Sequence, residues 1–220
     1  MGKEEITPIL NRLIAITAAP LKSVESDFAI DSTGFRTTKF NDYCREKHNT
    51  RRKHEFIKAH ICTGVKTNII CSAQITDENG ADSPQFAPLI KNTHDNGFEI
   101  QELSADMAYS SRKNYEAVEE AGGRAYIPFK SNATGRSIGS ALWHKMFYYF
   151  KLNQEEFYNH YHKRSNAEST MNMIKAKFGD SVKSKTFTAQ KNELLMKIIA
   201  HNIVVLIHEG NELGISTRFN

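Results

Sequence analysis

Three acids, and three side chains that accompany one of them, stand at positions where chemistry could be done. Asp31 in "AIDSTG" and Asp106 in "SADMAYSS" each follow a short apolar, β-prone run. In an open α/β sheet, ligands collect at the carboxyl ends of the strands. Two aspartates there, on neighbouring strands, would repel one another unless a cation is shared or one of them takes a proton. Oxygen-only ligation of that kind suits Mg²⁺ or Mn²⁺ rather than zinc. The competing reading is that each aspartate caps a turn. Asp27, Asp42, Asp77, Asp82 and Asp95 fall in loops or ahead of a strand end and are set aside.

The third acid, Glu168, lies in "YHKRSNAESTMNMIK" with Tyr161, Arg164 and Lys175 at helical intervals. At about 100° per residue these four side chains fall within an arc of about 60° that borders the apolar stripe of Phe157, Ala167, Met171, Ile174 and Phe178. A carboxylate on such a seam is costly unless it is paired or bound to a metal. A plain i, i+4 ion pair between Arg164 and Glu168 is the simpler account. It leaves Tyr161 and Lys175 on the same line unexplained.

The elements that must position these residues can be read from pattern. "KEEITPILNRLIAITA" predicts an amphipathic helix closed by Pro20, and "SDFAID" a strand ending at Asp31 with a turn at "DSTG". "HEFIKAHICTGV" and "TNIICSAQIT" predict a hairpin, and "PQFAPLIKNTHDNG" a helix. "FEIQELSAD", "SRKNYEAVEEAGG" and "RAYIPF" form a strand, helix, strand succession and therefore predict parallel pairing. Helices follow: "SALWHKMFYYFKL", one long helix from about residue 154 to 178, and "NELLMKIIAHNIVVLIHEG". The expected fold is α/β: a ribonuclease-H-like mixed sheet, antiparallel in its first three strands and parallel thereafter, with packed helices. The expected organisation is a helical lead-in over residues 1–22, a catalytic domain over 23–210 and a tail over 211–220.

Composition narrows the setting. The chain has 220 residues, 40% hydrophobic and 25% charged, as in globular proteins rather than disordered ones. Its longest apolar run, Ile203 to Ile207, is far short of the roughly 20 residues that span a bilayer. Charges occupy "MGKEEITPILNRL" where a signal peptide would be apolar, so a cytoplasmic location is expected. Cys44, Cys62 and Cys71 form no closed pairing set, which agrees with a reducing compartment. The spacings Cys44-x3-His48 and His60-x-Cys62 make no four-ligand zinc set, and Cys62 and Cys71 are expected as small buried apolar residues in strands. The net charge is +4, and it is uneven: Arg45, Lys47, Arg51, Arg52, Lys53 and Lys58 face only Glu46 and Glu55 in "CREKHNTRRKHEFIK". That patch suits a polyanion or is a solvated charge run.

The spacing Tyr161-x2-Arg164-x3-Glu168-x6-Lys175 resembles the Y-x2-R-x3-E-x6-K signature of the DDE transposases of prokaryotic insertion sequences, type-four group. "DSTGF" at Asp31 and "ADMAYSS" at Asp106 are similar to that group's first and second aspartate regions, and the resemblance extends over about residues 25 to 210. It implies that Asp31, Asp106 and Glu168 are the catalytic acids and metal ligands, holding Mg²⁺ or Mn²⁺, two ions in the usual arrangement. It also implies that Tyr161, Arg164 and Lys175 contact DNA or its phosphates. Arg51, Arg52 and Lys53 are expected to add phosphate contacts. The activity implied is nicking of double-stranded DNA at element ends and joining of the freed 3′ end to a target. A homodimer on DNA in the nucleoid and no membrane are further implications. Family members usually carry an N-terminal DNA-binding region, and about thirty residues before Asp31 are too few for one. A catalytically silent, DNA-binding remnant and a non-transposing nuclease of the same fold are the alternatives.

Overall fold

The computed structural model describes residues 1–37, 56–136 and 139–214. Helix α1 (Ile6–Ala18) runs into a 3-10 turn at Ala19–Leu21, with Pro20 in it. Strands β1 (Asp27–Arg36), β2 (Phe56–Gly64) and β3 (Ile70–Asp77) follow, then α2 (Ser83–Asp95). Next come β4 (Glu102–Ala105), α3 (Arg112–Glu120) and β5 (Arg124–Tyr126). The rest is helical: α4 (Ala141–Leu152), α5 (Gln154–Tyr161), α6 (Ser165–Phe178) and α7 (Phe187–Glu212). Three helices start on the side chain of the preceding serine or threonine: Ser111 for α3, Ser140 for α4 and Thr186 for α7. Such caps satisfy backbone amides that have no partner within the helix.

The sheet order is β3-β2-β1-β4-β5. β1 is antiparallel to β2, β2 to β3, while β4 and β5 join in parallel. This is the ribonuclease-H-like arrangement expected from the element order. Alternating side chains feed two apolar layers. Phe28, Ile30, Cys62, Leu103 and Ala105 point to one face, under α2, α3 and α4. Phe35, Ile57, Ala59 and Ile61 point to the other, under α1, α6 and α7. Each fully buried large side chain contributes about 1.5–3 kcal/mol. Cys62 and Cys71 are buried strand residues, as expected, and burial pushes the Cys62 thiol up to about 12.

Two sequence expectations need correction, and both concern the site. β1 does not end in a turn at "DSTG" but continues through it, pairing with β2 as far as Arg36 opposite Phe56. Tertiary packing overrides the turn-forming residues: Phe35 is fully buried, and Gly34 lies flat against the Phe56 ring, which a Cβ would approach at 3.2 Å. The long helix expected from residue 154 to 178 is broken into α5 and α6 by a 3-10 turn at His162–Arg164. No proline or glycine marks the break. Ser165 Oγ donates to the His162 carbonyl (3.0 Å) and Asn166 Nδ2 to the Lys163 carbonyl (3.0 Å), so short polar side chains compete for the carbonyls of the turn.

Candidate active site

β1 and β4 share a short parallel stretch, from Asp27 opposite Glu102 to Ile30 opposite Ala105. Asp31 and Asp106 are the next residues on each strand. At that point β1 loses its parallel neighbour but keeps its antiparallel one, so a crevice opens at the carboxyl end of β4. Because strand side chains alternate, Asp27, Asp31, Glu102 and Asp106 lie on one face. The same face receives the 162–164 turn and α6.

Arg164, the last residue of that turn, connects the acids. Its guanidinium donates to Asp31 Oδ2 at 2.8 Å, across 133 positions of sequence. It also pairs with the Glu168 carboxylate one turn along. The simple i, i+4 pair considered from sequence therefore exists, but it is half of a bridge between α6 and the central strand. Asp31 Oδ1 accepts from the Ser32 amide (2.8 Å). Burial raises the Asp31 pKa above the ordinary carboxylate value; Glu168 and Asp106 add to that, while the Ser32 amide and Arg164 oppose it. Asp106 caps the 3-10 turn Met107–Tyr109, with Oδ1 accepting from the Ala108 amide (2.9 Å). The capping role weighed against it is therefore real, and it leaves the second oxygen uncommitted to that cap. Glu168 is 52% exposed.

The other residues of the Glu168 segment differ in setting. Tyr161 ends α5, half-buried, with Arg164 over its ring at 5.9 Å. Burial raises its pKa, so the phenol is protonated near neutral pH. Lys175 lies one and a half turns or more beyond the Arg164 bridge; its Nζ donates to Thr33 Oγ1 (2.6 Å) and sits 5.3 Å from the Phe35 ring. Burial lowers its pKa. Arg51, Arg52 and Lys53 lie outside the described residues.

Residues that sequence reading set aside complete the surroundings. Two same-face rungs behind Asp31 and Asp106, Lys163 Nζ donates to Asp27 Oδ2 (2.7 Å) and Glu102 Oε2 (2.6 Å). His160 Nδ1 is 2.8 Å from the same Glu102 oxygen, and its ring stacks on Tyr126 of β5 at 4.3 Å. Burial works to raise the Glu102 pKa, but the bonds from Lys163 and His160 outweigh it and hold the acid below its ordinary value. On the opposite sheet face, Asp82 accepts from Ser32 Oγ (2.9 Å) and Lys58 Nζ (2.6 Å), bracing the strand next to Asp31. A sequence signal existed for the first group: Asp27 and Asp31, like Glu102 and Asp106, are four residues apart and so share a strand face.

These residues fit a hard divalent cation by charge and donor type. Three carboxylates act on one another at Asp31, and carboxylate oxygens are hard donors. Their oxygens do not all lie within 4.8 Å of one another; among the described residues only His208, Glu209 and Glu212, near the C-terminal end of α7, reach that closeness. The Arg164 guanidinium occupies the place between Asp31 and Glu168 with a single positive charge.

The sheet order β3-β2-β1-β4-β5, with an apolar layer under helices on each face, defines the class as that of ribonuclease-H-like domains. Residues 22–203 match the family model of the transposase DDE domain, and the chain belongs to that family. Domains of this family depend on divalent cations and act on DNA. Among solved structures, the chain is similar to a piggyBac transposase in a synaptic complex with hairpin DNA, with 12% identity and a TM-score of 0.49. That similarity covers 88% of this chain and 49% of the other, so the chain spans about half the length of that transposase. No helix among the described residues is long and apolar enough to cross a membrane.

Proposed function

We propose that this chain is the catalytic domain of an insertion-sequence DNA transposase of the Y-x2-R-x3-E-x6-K type, with Asp31, Asp106 and Glu168 as metal ligands and catalytic acids. The observation that carries the reading is the Arg164 bridge, which draws Glu168 of α6 toward Asp31 beside Asp106 at the end of the parallel strands. Mg²⁺ or Mn²⁺, as two ions, would supply Lewis-acid activation of the attacking oxygen and stabilise the leaving one.

This chain's own residues do the rest. Asp31 and Asp106 offer oxygens from rigid strand ends, and Glu168 offers a third from a helix. Arg164 has a planar fork suited to a phosphate. Lys175 donates to a neutral hydroxyl rather than a carboxylate and so offers its ammonium to DNA. Tyr161 supports Arg164 from beneath and keeps its proton. Arg51, Arg52 and Lys53 are assigned further phosphate contacts on double-stranded DNA. We assign the working form as a homodimer on DNA in the cytoplasm, associated with the nucleoid.

The test is incubation of the purified chain with labelled DNA carrying the ends of the surrounding element, with Mg²⁺ or Mn²⁺. Strand cleavage that requires the metal and disappears in Glu168→Gln is expected. Cleavage without metal, or cleavage unaffected by Asp31→Asn, would overturn the proposal. DNA retention without cleavage would instead identify a silent DNA-binding remnant.

A further inference from the structure

We infer that Lys163 is a positioning residue for the metal site: with Asp27, Glu102 and His160 it latches the 162–164 turn to the sheet and so sets where Arg164 and Glu168 stand over Asp31 and Asp106. Lys163 contributes no atom to the acidic crevice and is not one of the residues that carry the family resemblance. It rests on the proposed metal-site reading, because a latch matters to function only if Glu168 must meet the strand acids.

The geometry gives the latch its reach. α5 ends at Tyr161 and α6 begins at Ser165, so Glu168 hangs from a turn and not from the middle of a continuous helix. Ala167, Thr170, Met171 and Ile174 anchor the body of α6 in the core, so a turn without a tether would let its first turn, which carries Glu168, shift. Three tethers prevent this: Lys163 to Asp27 on β1 (2.7 Å), Lys163 to Glu102 on β4 (2.6 Å), and His160 to both Glu102 (2.8 Å) and the Tyr126 ring on β5. They reach three adjacent strands, including both strands that carry the proposed aspartate ligands. Arg164 is the next residue after Lys163 in the chain. Its bond to Asp31 falls further along the same strand face, beyond the Ala29–Ser104 rung. All four latch side chains are partly buried, between 19% and 31% exposed, so the pairs are shielded from solvent.

Two other acidic or cationic groupings do not rival this one. His208, Glu209 and Glu212 are a cluster on the surface of a single helix with nothing else pointing to a ligand. The Ser32, Lys58, His60 and Asp82 group has Asp82 at its centre, bonded to Ser32 and Lys58, with His60 Nε2 bonded to Thr76 (3.0 Å) and nothing else pointing to a ligand.

The test compares the full chain with Lys163→Met, Lys163→Arg, Glu102→Gln and Glu168→Gln. Mn²⁺ affinity is measured by electron paramagnetic resonance titration in the absence of DNA. Affinity for a labelled random-sequence duplex, thermal unfolding, and single-turnover nicking of supercoiled plasmid at saturating protein are measured beside it. Loss of an orienting partner behind metal ligands weakens metal affinity about tenfold to a hundredfold. Lys163→Met should show that loss and a comparable fall in nicking rate, with duplex affinity unchanged; Lys163→Arg should recover most of both. Glu102→Gln, which keeps shape and one of the two acceptors, should fall between and serves if Lys163→Met does not fold. A folded Lys163→Met, or Glu102→Gln in its place, with unchanged Mn²⁺ affinity and nicking would overturn the latch. So would a loss confined to duplex affinity, which would make Lys163 a phosphate contact. If Glu168→Gln itself leaves Mn²⁺ affinity unchanged, the metal-site reading fails; if Glu168→Gln weakens it and the Lys163 variant does not, the latch alone fails.

Discussion

Two acidic rungs lie on one face of the same pair of strands, four residues apart: Asp27 with Glu102, and Asp31 with Asp106. Each receives a cation from the same turn, Lys163 below and Arg164 above. The lower rung is saturated. Both of its acids are held by Lys163, His160 adds a second bond to Glu102, and the Glu102 pKa stays below its ordinary value although burial works against it. The upper rung is not saturated. Arg164 is shared with Glu168, and burial together with the other two acids leaves the Asp31 pKa raised. On the proposed metal-site reading, one motif serves as structure at one height of the sheet and as a cation site further along the same face. The difference lies in the number of acids per cation, not in the residue types.

The comparison can be broken most severely at the upper rung. Asp31→Asn, Asp106→Asn or Glu168→Gln should each lower metal-dependent cleavage by about a thousandfold or more, about 4 kcal/mol of barrier. Quantified single-turnover assays read this. The same Asp31→Asn should leave the melting temperature unchanged or raise it, since the folded protein disfavours the ionised form of that group. A clear drop in calorimetry would mean that the upper rung is structural after all.

A smaller effect belongs to the lower rung. Lys163→Met should cost about 1–3 kcal/mol of stability, because hydrogen bonds to two charged acceptors are lost and the acids then face each other. Denaturant titration at fixed pH checks it. The pH dependence carries the opposite sign from Asp31. Glu102 has a depressed folded pKa, so its contribution is complete above the unfolded value and is lost as pH falls through the folded one. Wild-type stability should therefore decline across the acid range more steeply than that of Glu102→Gln. Metal affinity, by contrast, should weaken as pH falls through the raised Asp31 value, because the proton competes for the same oxygen.

The smallest expected change is at Lys175. Lys175→Met should lower the salt slope of duplex binding by about 0.9, one phosphate contact, with equal effect on all sequences. Stability should not fall, since burial already disfavours the charged form. An unaltered slope would mean that Lys175 is held by Thr33 for packing alone.

Much of this molecule was legible because the signals were local. The segments "SRKNYEAVEEAGG" and "SALWHKMFYYFKL" marked α3 and α4, and the strand, helix, strand order required the parallel pairing of β4 with β5. Alternating apolar residues in β2 and β3 marked the hairpin and the buried cysteines. The spacing from Tyr161 to Lys175 was visible as well, although the straight-helix angles used to interpret it hold only from Ser165 onward.

What the chain alone determined was thus the element order, the acids at or near strand ends and the segment carrying Glu168. Only the tertiary structure decided that β1 runs on to Arg36, since that depends on Phe35 entering the core and Gly34 meeting Phe56. Only it decided that the helix breaks at His162–Arg164, and that Asp27 and Glu102 take Lys163 while Asp31 takes Arg164. The physical reason is one of range. Propensity and periodicity act over a few residues, whereas the Lys163 and Arg164 bonds join residues 61 to 136 positions apart in the sequence and adjacent in the fold.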